Sequence, residues 1–280
     1  MTIGEALKEE QDKLGLTEEK MVQGIMSKSA YSRVIHNERN ISSKALVKIL
    51  FKNGIDIITF FSKIEDTYLS ESSKLEKKLS CAIGEAVNNH EVDKVKLYYR
   101  IIVNSDVSSY LKKRAKLAYY FLDNKMKYID DDLKKSIIAD LNDNDNWVLN
   151  VNVLRLFSSA LIVLPHRNVE AEISFFFKKI NRISNISDEM IERYATICDN
   201  YLHWKYDYCT KSKEKIKIDS NVQDALNYLK KLKSSAHNII YIISFQYYLA
   251  LFSNNIERAK EIKKELIDVG CNLVVKNWPV

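Results

Sequence analysis

Glycine and proline are scarce in this chain, six and two among 280 residues. Few positions can therefore turn the backbone sharply, and the apolar residues recur with a period near 3.6 throughout, so the sequence predicts an all-α protein. Cysteine is scarce too. The four, at positions 81, 198, 209 and 271, show neither metal-ligand spacing nor the density of a disulfide framework. Long apolar runs are missing: the nearest to one, residues 148–164, contains Asn150, Asn152 and Arg155, too polar for a membrane span. The amino-terminal stretch is amphipathic and acidic, without the apolar core of a secretion signal. A cytoplasmic protein with no membrane partner is expected. Neither sign of charge dominates, since 43 Lys or Arg against 37 Asp or Glu leave a formal +6, which permits a nucleic-acid partner without demanding one. Also lacking are a glycine-rich phosphate loop and a nucleophile elbow. The five histidines are scattered, and Cys198, His203 and Cys209 stand at spacings of five and six, which miss the same-face i,i+4 arrangement of a two-ligand metal site. No catalytic residue, metal or cofactor is expected, and the chain does not read as an enzyme.

What is present begins at residues 16–50. Thr17 is a natural N-cap followed by Glu18 and Glu19, acids placed where the helix dipole favours them. Gly24 punctuates the end of that short helix, and Ser27 caps a second one running to about Asn37. Its apolar positions Tyr31, Val34 and Ile35 can face inward while Lys28, Ser29, Ser32 and Arg33 face out. In a helix-turn-helix the amino-terminal residues of the second helix meet base edges in the major groove. Arg33 suits a guanine edge, Lys28 a guanine or a phosphate, and Ser29 and Ser32 can donate or accept; Asn37 and Arg39, just beyond the helix, can grip backbone phosphates. On spacing alone a small helical bundle with a solvated polar face explains the pattern equally well. Upstream, residues 2–15 read as a first helix burying Ile3, Leu7 and Leu14; downstream, Ser42 or Ser43 caps a fourth, ended by Asn53-Gly54, and a fifth runs from Ile55 to about Leu69.

From Met1 to about Ile64 the chain resembles the Xre-type helix-turn-helix. Leu16-Thr17-Glu18-Glu19 opens the second helix, and Tyr31-Ser32-Arg33-Val34 stands where these proteins carry a hydrophobic-Ser-Arg-hydrophobic run. The closer likeness is to the Rgg/MutR branch, whose turn is one residue shorter and whose recognition helix reads SKS-x-x-SR before a Glu- and Ser-containing stretch ending in Ile-Ser. Here the corresponding residues are Ser27-Lys28-Ser29-Ala30-Tyr31-Ser32-Arg33 and Asn37-Glu38-Arg39-Asn40-Ile41-Ser42. Two positions depart from the pattern: Glu18 replaces a glutamine set against phosphate, and Ile35 replaces a carboxylate. Gln11 stands where the family's partner arginine would be, so the ion pair is lost on both sides and no orphan charge remains. Residues 1–65 hold ten Lys or Arg against nine Asp or Glu, a weak field for DNA that dimeric binding or an unusual operator would offset.

The polar run Ser70-Glu71-Ser72-Ser73 marks a boundary, giving a helix-turn-helix domain over 1–66 and a second domain over 71–280. The second domain repeats in helical hairpins. The clearest, residues 242–270, turns at Asn254-Asn255 and closes at Gly270; shifted by 164 residues, Ala86 falls on Ala250, His90-Glu91 on that turn, and Val92-Asp93-Lys94-Val95 on Ile256-Glu257-Arg258-Ala259. Three more are placed at about 106–142, breaking near Lys127, at 146–184, breaking at Pro165, and at 187–234, with a Lys-rich loop at 211–217. The expectation is a tetratricopeptide-like right-handed helical-repeat array, degenerate in period. Such arrays commonly bind extended peptides along the wall formed by the first helix of each pair, although the same fold can simply scaffold a dimer.

Three polar stripes fall on first helices. Residues 146–164 are apolar nearly all round, with Asn152, Arg155 and Ser159 on one face; Arg193, Thr196 and Asn200 follow, then Tyr241, Ser244 and Tyr248. A guanidinium among apolar neighbours needs an anion, either a peptide carboxylate or an acid from the next hairpin. The tyrosines serve equally as core residues. The runs Lys112-Lys113-Arg114, Lys178-Lys179 and Lys230-Lys231 alternate with core positions and read as solvated faces. The resemblance implies a homodimeric transcriptional regulator of a Gram-positive bacterium, holding double-stranded promoter DNA and answering a short re-imported pheromone peptide in quorum sensing. The competing reading is a helical-repeat adaptor for a partner protein, with a degenerate helix-turn-helix that no longer holds DNA.

Overall fold

A computed structural model describes residues 1–143 and 146–280. The described residues are helical or connecting, without strand, and divide into two compact units, Met1–Leu75 and Glu76–Val280.

The first unit contains α1 (Ile3–Lys13), α2 (Glu18–Val22), α3 (Lys28–Ile35), α4 (Ser43–Lys52) and α5 (Ile57–Tyr68). Each start is set by a side-chain cap on an otherwise orphaned backbone N–H. Thr2 caps α1 in a reciprocal box with Glu5, Thr17 caps α2, Ser27 caps α3, Ser42 caps α4 and Asp56 caps α5. Helix α5 thus begins two residues later than expected. Leu14 is a further correction: α1 stops at Lys13 and the chain turns away through Gly15 at φ 62°, leaving Leu14 exposed. Tyr31, Met21, Leu7, Ile49 and Phe60 fill the core. Lys63 on α5 ties back to Glu9, at 3.1 Å, and Glu10 on α1.

The second unit is a run of hairpins. Helix α6 (Glu71–Asn88) is followed by α7 (Val92–Val103), which packs against α8 (Ser109–Leu122); α9 (Asp131–Asn142) packs against α10 (Val151–Ala160), and α11 (His166–Ile180) follows. Then come α12 (Asp188–Lys211) with α13 (Ser220–Lys230), α14 (Ile239–Phe252) with α15 (Ile256–Asp268), and the short α16 (Asn272–Val275). Helix α10 packs against α8 and α12, and α12 against α14, so first helices stand side by side. The internal repeat extends to individual bonds. His90 and Asn254 both take positive φ, 57° and 59°, and the next N–H closes the turn in each case, Glu91 on the Ala86 carbonyl at 2.9 Å and Asn255 on that of Ala250 at 2.8 Å. The apolar stretch 146–164 is not one helix: Trp147–Leu149 form a single 3₁₀ turn, and the Asn150 side chain then caps α10 through the N–H groups of Asn152 and Val153. Among the described residues no helix is long and apolar enough to cross a membrane.

Candidate functional site

Two features of the fold offer chemistry, one in each unit. In the first, α3 buries Tyr31, Val34 and Ile35 and leaves Lys28, Ser29 and Arg33 exposed, with Ser32 half-buried and Arg39 exposed beyond the helix. Its position is set by close packing on α1. The Tyr31 hydroxyl donates to the Leu7 carbonyl at 3.3 Å, and Gly4 lies so near that an added Cβ would sit 2.1 Å from the Val34 carbonyl oxygen. The end of α2 is held from α4: Lys52 Nζ donates to the carbonyls of Lys20 and Gln23 at 3.2 and 2.8 Å, and Asn53 Nδ2 to that of Met21 at 3.0 Å. Buried Gln11 donates to the Leu16 carbonyl at 3.0 Å and so fixes the entry to α2 with a neutral group.

Asn37, exposed beyond α3, has its side chain engaged by α1. It takes φ 62° at the end of α3, and its side chain accepts from the Thr2 hydroxyl at 2.6 Å and reaches Glu5 at 3.5 Å. Its amide completes the cap of α1, a role that competes with phosphate.

In the second unit, α6, α8, α10 and α12 surround a cavity of about 320 Å³. Arg155 and Ser159 line it from α10, Arg193, Thr196 and Asn200 from α12, and Arg114 from α8. Five of the nine residues singled out from the stripes are therefore brought together. Asn152 is exposed and lies outside the lining. Tyr241 reaches it indirectly, its hydroxyl 2.8 Å from that of Thr196. Ser244 and Tyr248 are in the core. The reason is that α14 packs against α12, α13 and α15 at once, which turns both side chains inward. Beneath it Asp199, whose Oδ1 is buried without a partner, is pushed up to about 6 by burial, against the opposing hydrogen bond from Ser244.

Arg114 is the residue the sequence reading missed, and it corrects the assignment of its run to a solvated face. Lys113 pairs with Asp140 at 2.5 Å, while Arg114 turns into the cavity. The available signal was its place on the stripe of Leu111, Ala115 and Ala118, where a charge has no water-facing side. Burial and the repulsion of Arg155 and Arg193 hold its guanidinium down at about 10, still charged at neutral pH but costly to keep so. Arg155 is lowered for the same reasons, with burial first. The acid from the next hairpin exists: Glu189 lies 3.6 Å from Arg155 and 3.5 Å from Arg193, but it is largely exposed and shared between them.

Gly84 lies in the wall of this cavity within α6, and a Cβ there meets nothing within 4 Å. Gly84→Ala is expected to stabilise the chain by about 0.5–1 kcal/mol, because alanine loses less backbone freedom in a helix interior. A thermal melt that shows no gain would mean the open space is needed by the folded chain.

No family model and no curated protein matches this chain. Among solved structures it is similar to a proposed transcriptional regulator from Listeria monocytogenes EGD-e, with a TM-score of 0.73 and 16% identity over 98% of this chain and 93% of that one. It is also similar to the SHP pheromone receptor Rgg2 of Streptococcus dysgalactiae, with a TM-score of 0.68 and 12% identity over 97% and 95% of the two chains. A third is the PrgX/iCF10 complex, with a TM-score of 0.63 and 18% identity over 98% and 88%. At these identities the likeness is one of fold, extending through both units.

Proposed function

We propose that this protein is a cytoplasmic transcriptional regulator of the Rgg kind, a homodimer that holds promoter DNA through α3 and responds to a short signalling peptide bound in the cavity of its second unit. The observation that carries the reading is the face of α3: Lys28, Ser29, Ser32 and Arg33 stand on the outer side of a helix whose opposite side is buried, as a helix entering the major groove requires. Arg39 adds a phosphate contact. The cationic cavity supports the sensing half, since a peptide's terminal carboxylate is held well by guanidinium pairs. The fold neighbours support the same assignment, one being a pheromone receptor and another a complex of PrgX with iCF10.

In this mechanism the peptide binds one arrangement of the hairpins better than another and shifts the dimer between states in which two α3 helices do or do not stand about 34 Å apart, one turn of DNA. The same α3 spacing with and without peptide would exclude it. DNA binding is tested by a salt titration on the protein's own upstream promoter. A log-log slope of several units is expected from phosphate contacts, and Arg33→Ala should weaken specific binding about 10- to 100-fold while leaving nonspecific binding nearly unchanged. Absence of specific binding at low salt, both alone and with peptide pools present, would favour the adaptor reading, in which the weakly charged first unit has lost its DNA.

A further inference from the structure

The cavity's charges do not balance, and the imbalance has a definite size. Three guanidiniums converge from three successive first helices, Arg114 on α8, Arg155 on α10 and Arg193 on α12. Facing them among the described residues is one carboxylate, Glu189, at 3.5 and 3.6 Å from Arg193 and Arg155, outside good hydrogen-bond range and with 60% of its side chain exposed. Among the described residues Arg114 has no carboxylate in contact. Its polar contact is the Ser80 hydroxyl at 3.4 Å, while Glu76 spends one carboxylate oxygen on the Ser108 N–H at 2.8 Å and the other on the Ser108 hydroxyl at 2.5 Å. The Nε atoms of Arg114 and Arg193 are buried without any partner.

Two neutral groups of the same cavity are already engaged. Asn200 Nδ2 donates to the Ser158 hydroxyl at 2.8 Å, and the Thr196 hydroxyl is paired with that of Tyr241 at 2.8 Å. The buried donors left without a partner there are the Nε atoms of Arg114 and Arg193, so this site selects by charge more than by the backbone amides every peptide carries. Buried charge is tolerated when it is paired. With Glu189 counted against one guanidinium, a single carboxylate leaves one cation uncompensated and two leave none. A volume of about 320 Å³ is at the small end for ligand pockets, suited to a chain end.

We infer that the ligand end entering this cavity carries two negative charges, which for a peptide means a carboxy-terminal Asp or Glu with its α-carboxylate free. The inference rests on the peptide reading above and gives it a specificity.

The test uses the full chain and hexapeptide pools, randomised at five positions and carrying an amino-terminal fluorophore, that end in Glu or Gln with either a free or an amidated terminus. Anisotropy should show the free Glu pool binding about tenfold more tightly than the free Gln pool, the scale of one additional charge-assisted bond. That gap should close to less than about twofold in Arg114→Gln and in Arg193→Gln, each first checked for native helicity. Glu189→Gln removes the competing anion at an exposed position with little risk to folding, and should tighten the free Glu pool several-fold. Succinate should displace the pool where acetate at equal concentration does not. Equal binding of free Glu and free Gln pools, both lost on amidation, would overturn the two-charge inference and leave peptide sensing standing. No binding by any pool would overturn both. A Glu preference that persists in both folded arginine variants, or an affinity unmoved by Glu189→Gln, would remove the assignment to this cavity.

Discussion

Gly4→Ala is expected to unfold the first unit and to spare the second. The glycine is needed for closeness between helices, since the new Cβ would meet the Val34 carbonyl oxygen at 2.1 Å, its carbon at 3.1 Å and Asn37 Oδ1 at 2.9 Å. Two of these atoms are backbone of α3, and neither helix is free to retreat. Leu7 and Tyr31 are fully buried and joined by a hydrogen bond, and Thr2 is bonded to Asn37 at the same end. Overpacking of this severity costs at least about 3 kcal/mol, a large part of what a unit of this size has to lose. The measurement is made simple by the distribution of tryptophan: Trp147, Trp204 and Trp278 all belong to the second unit. In a urea titration their fluorescence midpoint should stay near the parent's, while far-ultraviolet circular dichroism gains an earlier transition and the promoter binding proposed for α3 is lost. A single dichroism transition at the parental midpoint would show that α1 and α3 can part without loss.

Asp199→Asn is expected to stabilise the second unit, in full above about pH 6 and hardly at all at pH 4. Burial raises the Asp199 carboxyl from its ordinary 3.8 to about 6. Ionising it in the folded chain is therefore harder than in the unfolded chain. The sign follows from proton counting: between these two values the folded state binds more protons, so falling pH stabilises it, and above pH 6 the full cost of the ionised form is present. A shift of about two pH units corresponds to about 2–3 kcal/mol. Asparagine keeps an oxygen for the Ser244 hydrogen bond and has no charge to bury. It should raise stability by about 2 kcal/mol at pH 8, with the advantage fading as pH falls to 4. Urea midpoints from tryptophan fluorescence at the two pH values check this, and an equal gain at both would attribute the effect to packing.

The two variants probe different kinds of information. The caps Thr17, Ser27 and Ser42, the turn at Gly24 and the matched turns at His90 and Asn254 were legible in the chain, as was the inward set Tyr31, Val34 and Ile35. Of the stripes, Arg155, Ser159, Arg193, Thr196 and Asn200 were also legible, since i, i+3 and i+7 share a helix face whatever lies opposite. Other assignments changed once the helices were packed. Asn37 read as a phosphate contact until α1 arrived to take its amide. Ser244 and Tyr248 read as groove residues, but α14 is enclosed by three neighbours. Lys52 gave no sign that its amine would hold the end of α2, 29 residues away at Gln23.

The sequence by itself determined the all-helical class, most helix starts and stops, the hairpin repeat and the outward face of α3. These depend on bonds that reach no more than about four residues along the backbone and on the period of a single helix. Only the tertiary structure decided that three arginines on α8, α10 and α12 meet with one exposed acid between them, that Gly4 must have no side chain, and that an Asp199 oxygen is buried without a partner. Each depends on which helix face is laid against which, and there the cost of an unpaired charge or an extra methyl comes from atoms remote in the chain.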